Sequence, residues 1–154
     1  MTAPGDDIDQ LMAVMQAAFD PAFGEAWNRR QVEDALILGH SHYALVAAHG
    51  AEPASGEPAA AFFLSRHGFE EEELLLLAVD PAHRRKRLAS ALLDRLCADA
   101  KARGAARLLL EMRANNPAEA LYRVHGFKPI GRRAQYYRSA IGERLDAVTF
   151  AKDL

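Results

Sequence analysis

The stretch Leu77-Ala78-Val79-Asp80-Pro81-Ala82-His83-Arg84-Arg85-Lys86-Arg87-Leu88-Ala89 runs from apolar to strongly basic and back within thirteen residues. Upstream, Glu71 to Val79 holds four consecutive leucines and stops at Asp80-Pro81, where proline has no N–H to give a sheet ladder. That run predicts a central strand buried on both faces. Downstream, Leu88, Leu92 and Leu96 recur every fourth residue, and Ala91, Leu93 and Ala100 widen the apolar face until Gly104 offers a C-cap, so a helix is predicted. A loop joining strand to helix in this way can aim successive backbone N–H groups at phosphate oxygens, where the helix N-terminus adds about half a positive charge. The pattern suits a pyrophosphate cradle; taken alone, it suits a solvated basic surface equally well.

Working outward, Ile8, Leu11, Met12, Met15 and Phe19 are spaced by threes and fours, predicting a helix from about Asp7 to Phe19. Asn28 with Gln31 has the form of a capping box opening a second helix that stops near Gly39. Tyr43 to Ala48 and Ala59 to Ser65 flank a loop rich in Gly and Pro and predict a hairpin. On the other side, Arg107 to Met112 reads as a strand, Pro117 to His125 as a short helix ended by Gly126, and Phe127 to Arg133 and Asp146 to Ala151 as strands. Alternating strands and helices in this half imply an α/β chain of mixed α+β type, with a crossover and a partly parallel sheet.

Composition narrows the function. A length of 154 residues, 50% hydrophobic and 26% charged, suits a single globular domain spanning 1–154. A net charge of −2 argues against general nucleic-acid binding, and the apolar run Leu74 to Val79 is far shorter than the ~20 residues a bilayer requires. Cys97 is the only cysteine, which excludes an internal disulfide and, with no export segment visible, favours the cytoplasm. The chain is expected to be a monomer or weak dimer. His40-Ser41-His42 offers two imidazoles but no further ligands at suitable spacing, so no metal site is expected. Cys97 lies at an apolar-compatible helix position and reads as a packed side chain rather than a nucleophile.

Several features taken together resemble one family. Val79-Asp80-Pro81, the run Arg84 to Ala89, Leu109-Leu110-Glu111, and Asn115-Asn116-Pro117-Ala118-Glu119-Ala120-Leu121-Tyr122 followed by Gly126-Phe127 are similar, in order, to the motifs of the GNAT (Gcn5-related N-acetyltransferase) superfamily. Within it, Leu110-Glu111-Met112-Arg113, the Leu-Tyr pair of the short helix and Arg132-Arg133-Ala134-Gln135-Tyr136-Tyr137 resemble the ribosomal-protein-alanine N-acetyltransferases of the RimI type. The resemblance implies the GNAT acyl-CoA N-acyltransferase fold, a twisted mixed sheet flanked by helices. It implies acetyl-CoA as co-substrate and an amine acceptor, foremost a protein N-terminus. It also implies residue roles. Leu77, Ala78 and Val79 would pair with the pantetheine arm through their backbone, and Arg84, Arg85, Lys86, Arg87, Leu88, Ala89 and Ser90 would surround the pyrophosphate. Asn115 or Asn116 would bond the cofactor, Glu111 would be the general base, and Tyr122 the acid that protonates the leaving thiolate. Trp27, with Phe23, and Tyr137, beside Tyr136, would line the acceptor groove.

One departure from the family pattern stands out. Arg87 occupies a position where the family loop carries glycine, so either the side chain crowds the phosphates or the backbone is strained, unless φ is negative. In isolation Glu111 reads as a solvated strand-end carboxylate and Tyr122 as a residue covering the core. Trp27 fits an aromatic staple as well as a groove wall, and Tyr136 and Tyr137 fit packed hairpin aromatics. The acidic run Glu70 to Glu73 reads as a solvated strand start. A small-molecule amine or a lysine as acceptor, or a non-catalytic acyl-CoA-binding role, are the alternatives.

Overall fold

The computed structural model describes residues 5–19, 25–138 and 141–154, and Phe23 lies outside them. Helix α1 spans Gly5–Ala18 and α2 Arg29–Ile37. The capping box is present: Asn28 Oδ1 accepts from the Gln31 N–H at 2.9 Å, and Gln31 Oε1 accepts from the Asn28 N–H at 2.8 Å. Strands β1 (Ser41–Val46) and β2 (Ala61–His67) form the expected antiparallel hairpin, and β3 runs Glu71–Val79. A single 3-10 turn at Pro81–His83 leads to α3, Leu88–Ala102. Then come β4 (Arg107–Arg113), α4 (Glu119–Val124), β5 (Lys128–Arg138) and β6 (Arg144–Asp153). Among the described residues no helix is long and apolar enough to cross a membrane.

The six strands lie in the order β1-β2-β3-β4-β6-β5, and every neighbouring pair is antiparallel except β3 with β4. That one parallel pair is the product of the β3-α3-β4 crossover. β6 inserts between β4 and β5, so the chain closes its sheet from the inside.

Helices cover both faces. Leu88, Leu92, Leu93 and Leu96 of α3 and Tyr122 of α4 pack on Phe63, Leu74, Leu108, Leu110 and Phe150. On the opposite face, Leu11, Met12 and Met15 of α1 with Val32 and Leu36 of α2 pack on Phe62, Leu64, Leu76 and Ala78. Cys97 is half-buried against the first of these cores, as its helix position predicts.

Strand β3 departs from the expectation of burial on both faces throughout. Its residues alternate, with Glu72, Leu74, Leu76 and Ala78 buried and Leu75, Leu77 and Val79 only half-buried. The register against β2 slips by one: Ser65 faces Leu74 but Leu64 faces Leu76, leaving Leu75 as the extra residue of a bulge. Leu74 therefore enters one core while Leu75 and Leu76 both turn to the other. Strands β3 and β4 pair only from Glu71–Arg107 to Leu74–Leu110. Past the bulge they part, and among the described residues the β4-facing edge of Leu75 to Val79 has no strand beside it.

The acidic run also departs from expectation. Glu72 is fully buried rather than solvated. Its carboxylate accepts two hydrogen bonds from Arg103 at the end of α3, at 2.9 and 2.5 Å, and one from the Ser65 hydroxyl at 2.7 Å. Burial would push this carboxyl up, but Arg103 and Ser65 outweigh it and hold it below the usual carboxylate range. Glu71 and Glu73 are half-buried and paired with Arg107 and Arg66. His40 has φ of +62° and precedes β1, so it does not share an extended segment with His42.

Candidate active site

The parting of β3 and β4 opens a cleft of about 890 Å³. Its walls bring together Leu77, Ala78, Val79, Arg84 and Ala89 from the strand-to-helix junction, Glu111, Asn116 and Tyr122 from the second half, and Trp27 and Tyr137 from two further segments. On β4, Leu110 and Met112 enter the core beneath α3 and α4, so Glu111 between them projects from the other face. Tyr122 is buried on the α4 side, its ring edge-on to Phe127 with centroids 5.6 Å apart. The opening between the strands lets both residues face one space.

The basic loop has the geometry of an anion cradle. Asp80 caps the 3-10 turn by accepting from the Ala82 N–H at 2.9 Å, which bends the chain away from β3. Arg85 and Arg87 both take left-handed conformations, with φ of +67° and +57°. Arg87 is the N-cap of α3, and its side chain makes no capping hydrogen bond. The backbone thus holds the shape a glycine favours, and the first N–H groups of a 15-residue helix are left without a side-chain acceptor. Among the described residues Lys86 contacts His83 at 3.3 Å and none of Arg84, Arg85, Lys86 or Arg87 forms an ion pair with a carboxylate. These groups fit a pyrophosphate, and the unpaired edge of β3 fits a slender amide-bearing chain.

The other residues named from sequence are placed differently. Leu88 is buried in the core, so only its backbone can serve a ligand. Ser90 is half-buried one turn into α3, and its hydroxyl lies 3.1 Å from His125 Nε2. Arg85, Lys86, Arg87, Leu88, Ser90 and Asn115 do not line the cleft, whereas Asn116 does. Asn116 Oδ1 accepts from the Ala118 N–H, and Asn115 is the residue that turns the chain, with φ of +67°. Trp27 is half-buried against the α1–α2 core and also lines the cleft.

Tyr136 and Tyr137 do not follow a strand but lie inside β5, which continues to Arg138 across an irregularity between Arg133 and Tyr137. Gln135 has φ of +52°, and its N–H is held by Asp146 of β6. Tyr136 is exposed and packs edge-on to the half-buried Tyr137 at 5.2 Å between centroids.

Two ion pairs in the cleft were not legible in the sequence. Arg133 Nη2 donates to Glu111 Oε1 at 2.6 Å and to Oε2 at 2.7 Å, with Nε at 3.2 Å from Oε2. Arg113 Nε donates to Glu25 at 3.1 Å, both side chains being largely buried, which ties the segment carrying Trp27 to the end of β4. Burial, and then the Glu25 charge, raises the Tyr122 phenol well above its ordinary value. Burial and then the Glu111 and Glu25 charges push Tyr137 up to about 12. Both phenols therefore carry their protons at neutral pH.

Comparison with known proteins agrees with this geometry. Residues 8–127 match the model of the acetyltransferase (GNAT) family. Ribosomal protein bS18-alanine N-acetyltransferase of Escherichia coli strain K12 is 41% identical over 93 residues, 60% of this chain and 62% of that protein, so the match spans less than two thirds of the relative. The corresponding enzyme of Haemophilus ducreyi is 39% identical over 92 residues, 59% of this chain and 63% of its own. The crystal structure of the E. coli ribosomal-protein-S18-alanine N-acetyltransferase superposes with a TM-score of 0.81 at 29% identity, covering 99% of this chain and 91% of that one. Arabidopsis thaliana NAA60, solved with acetyl-CoA, shares the fold at 16% identity and a TM-score of 0.77, with 100% and 97% of the two chains covered. The chain belongs to the GNAT acetyltransferase family.

Proposed function

We propose that this protein is an acetyl-CoA-dependent N-acetyltransferase acting on the N-terminal α-amine of a protein, a ribosomal protein being the leading acceptor. The observation that carries the reading is that Glu111 and Tyr122, a carboxylate and a neutral phenol, face one cleft where β3 and β4 part. When bound, acetyl-CoA supplies the activated acyl group. Arg84 to Ser90 and the α3 N-terminus hold its phosphates, the β3 edge at Leu77 to Val79 takes its amide-bearing arm, and Asn116 borders it. Glu111 accepts a proton from the acceptor ammonium, directly or through water, so that the amine lone pair can attack the thioester carbon. As the carbon–sulfur bond breaks, Tyr122 donates its proton to the thiolate. An α-amine has a pKa near 8 and a thiol about 8.5, so both transfers are within reach of these groups.

The E. coli and H. ducreyi relatives named for acetylating an alanine of bS18 support the acceptor class. A ribosomal acceptor would be met in the cytoplasm, and a cytoplasmic enzyme of one domain over residues 1–154 is the reading we adopt. The test is calorimetric titration with acetyl-CoA, followed by thiol release with an alanine-starting peptide, for the wild type and Glu111→Gln. The expected result is binding in both and release lowered about 10²- to 10⁴-fold in the variant. Binding without peptide-dependent release in the wild type would move the acceptor to another amine or make the chain a non-catalytic acyl-CoA binder, and absence of binding would overturn the reading.

A further inference from the structure

The proposed base already has a cation as its partner. Both oxygens of Glu111 receive Arg133 Nη2, and Thr149 Oγ1 lies 3.4 Å from Oε2. An incoming ammonium must reach those same oxygens to give up its proton, and a guanidinium already bonded to both competes with it there. The pair is open to exchange, because the Arg133 side chain is 57% exposed and such solvent-facing bridges are weak. The guanidinium bonded to Glu111 also lies on the face of Tyr136, its carbon 3.9 Å from the ring centre, a contact that holds the cation once its bonds to the carboxylate are given up. Arg133 also sits immediately before the irregular step of β5, where the ladder to β6 gives way.

We infer that Arg133 is an acceptor-selecting residue, a stand-in for the substrate ammonium that the acceptor displaces from Glu111 while the guanidinium keeps its contact with the face of Tyr136. Binding at this site is then an exchange of one cation for another, and an acceptor without a positive charge at the reacting nitrogen fails to open it. The inference rests on the base role proposed for Glu111.

The test compares wild type, Arg133→Gln and Arg133→Lys with an alanine-starting peptide and acetyl-CoA. It also follows the ¹⁵N-labelled Arg133 side-chain Nε–H signal of the CoA-bound wild type as peptide is added. Glutamine removes the charge and stops short of Glu111, and should lower KM for the peptide roughly two- to fivefold, the range expected for loss of an exposed ion pair. KM for acetyl-CoA should stay unchanged, lysine should resemble arginine, and the Arg133 signal should shift on peptide binding. A raised or unchanged peptide KM in Arg133→Gln, with the Arg133 signal indifferent to peptide, would make Arg133 a fixed partner of Glu111 and overturn the exchange. Full turnover in Glu111→Gln would instead remove the base role, and the Arg133 signal, which needs no turnover, separates the two failures.

Discussion

The Asp146 carboxylate on β6 accepts the backbone N–H of Gln135 on β5 at 2.8 Å, and its other oxygen takes Arg132 Nε at 2.5 Å. Gln135 is left-handed, so this contact pins the irregular step that turns Tyr136 and Tyr137 toward the cleft. The Gln135 N–H and then Arg132 hold Asp146 below its ordinary range. Asp146→Ala should raise KM for the acceptor peptide about tenfold, as expected for misplaced positioning groups, and leave acetyl-CoA affinity unchanged. Equal effects on both substrates in steady-state kinetics would refute the assignment.

Arg87 separates backbone shape from side-chain charge. Its φ of +57° means that the loop already has a glycine-like course, so Arg87→Gly should preserve it and relieve strain of about 1 kcal/mol. Loss of the guanidinium should weaken acetyl-CoA binding roughly two- to fivefold at low salt, a difference that fades as salt screens the charges. Calorimetry at two ionic strengths reads this; tighter binding in the variant would show that the side chain obstructs the phosphates.

Tyr122→Phe keeps the ring on Phe127 and removes only the hydroxyl. Turnover should fall about 10²-fold or more, with a melting temperature close to that of the wild type. Because burial raises this phenol, it stays protonated across the neutral range and is lost as a donor only above its ordinary value. A rate profile should therefore show no fall attributable to Tyr122 below about pH 10. A tyrosine-dependent limb near neutrality would contradict the acid role.

Glu72 governs stability instead of chemistry. Its depressed carboxyl contributes stability fully present above the unfolded glutamate value of about 4.3 and lost as pH falls through the lower folded value. Glu72→Gln leaves Arg103 without its partner and should cost roughly 2–4 kcal/mol at pH 7, with the gap from wild type narrowing below about pH 4. Urea unfolding at pH 7 and pH 3.5 measures both; a pH-independent gap would show that the charge is not what Arg103 reads.

Local signals carried the elements well. Asn28 with Gln31, the leucines of α3 and the stop at Asp80-Pro81 are set by neighbours within a few residues, and each marks a boundary that the fold keeps. Order of motifs carried Glu111 and Tyr122 into one cleft. What escaped depends on partners far apart in the chain: Glu72 is buried because Arg103 meets it 31 positions on, and Glu25 meets Arg113 across 88. The bulge at Leu75 defeated the expectation for β3, since one extra residue reverses which side chains face which core. Arg133 looked like any basic residue near a strand end, and only the pairing of β5 on β6, itself against β4, brings it to Glu111.

The gap between β3 and β4 has a further consequence for what can enter. A strand edge without a neighbour usually lies at the rim of a sheet, where another chain can approach it broadside and where aggregation begins. Here the bare edge lies in mid-sheet, where β4 has parted from it, with helices packed on both faces of the sheet. Leu75 to Val79 line the cleft, so their free backbone groups look into it instead of out to other chains. The fold thus keeps a row of hydrogen-bonding groups for a ligand while removing it from the surface where proteins stick to one another.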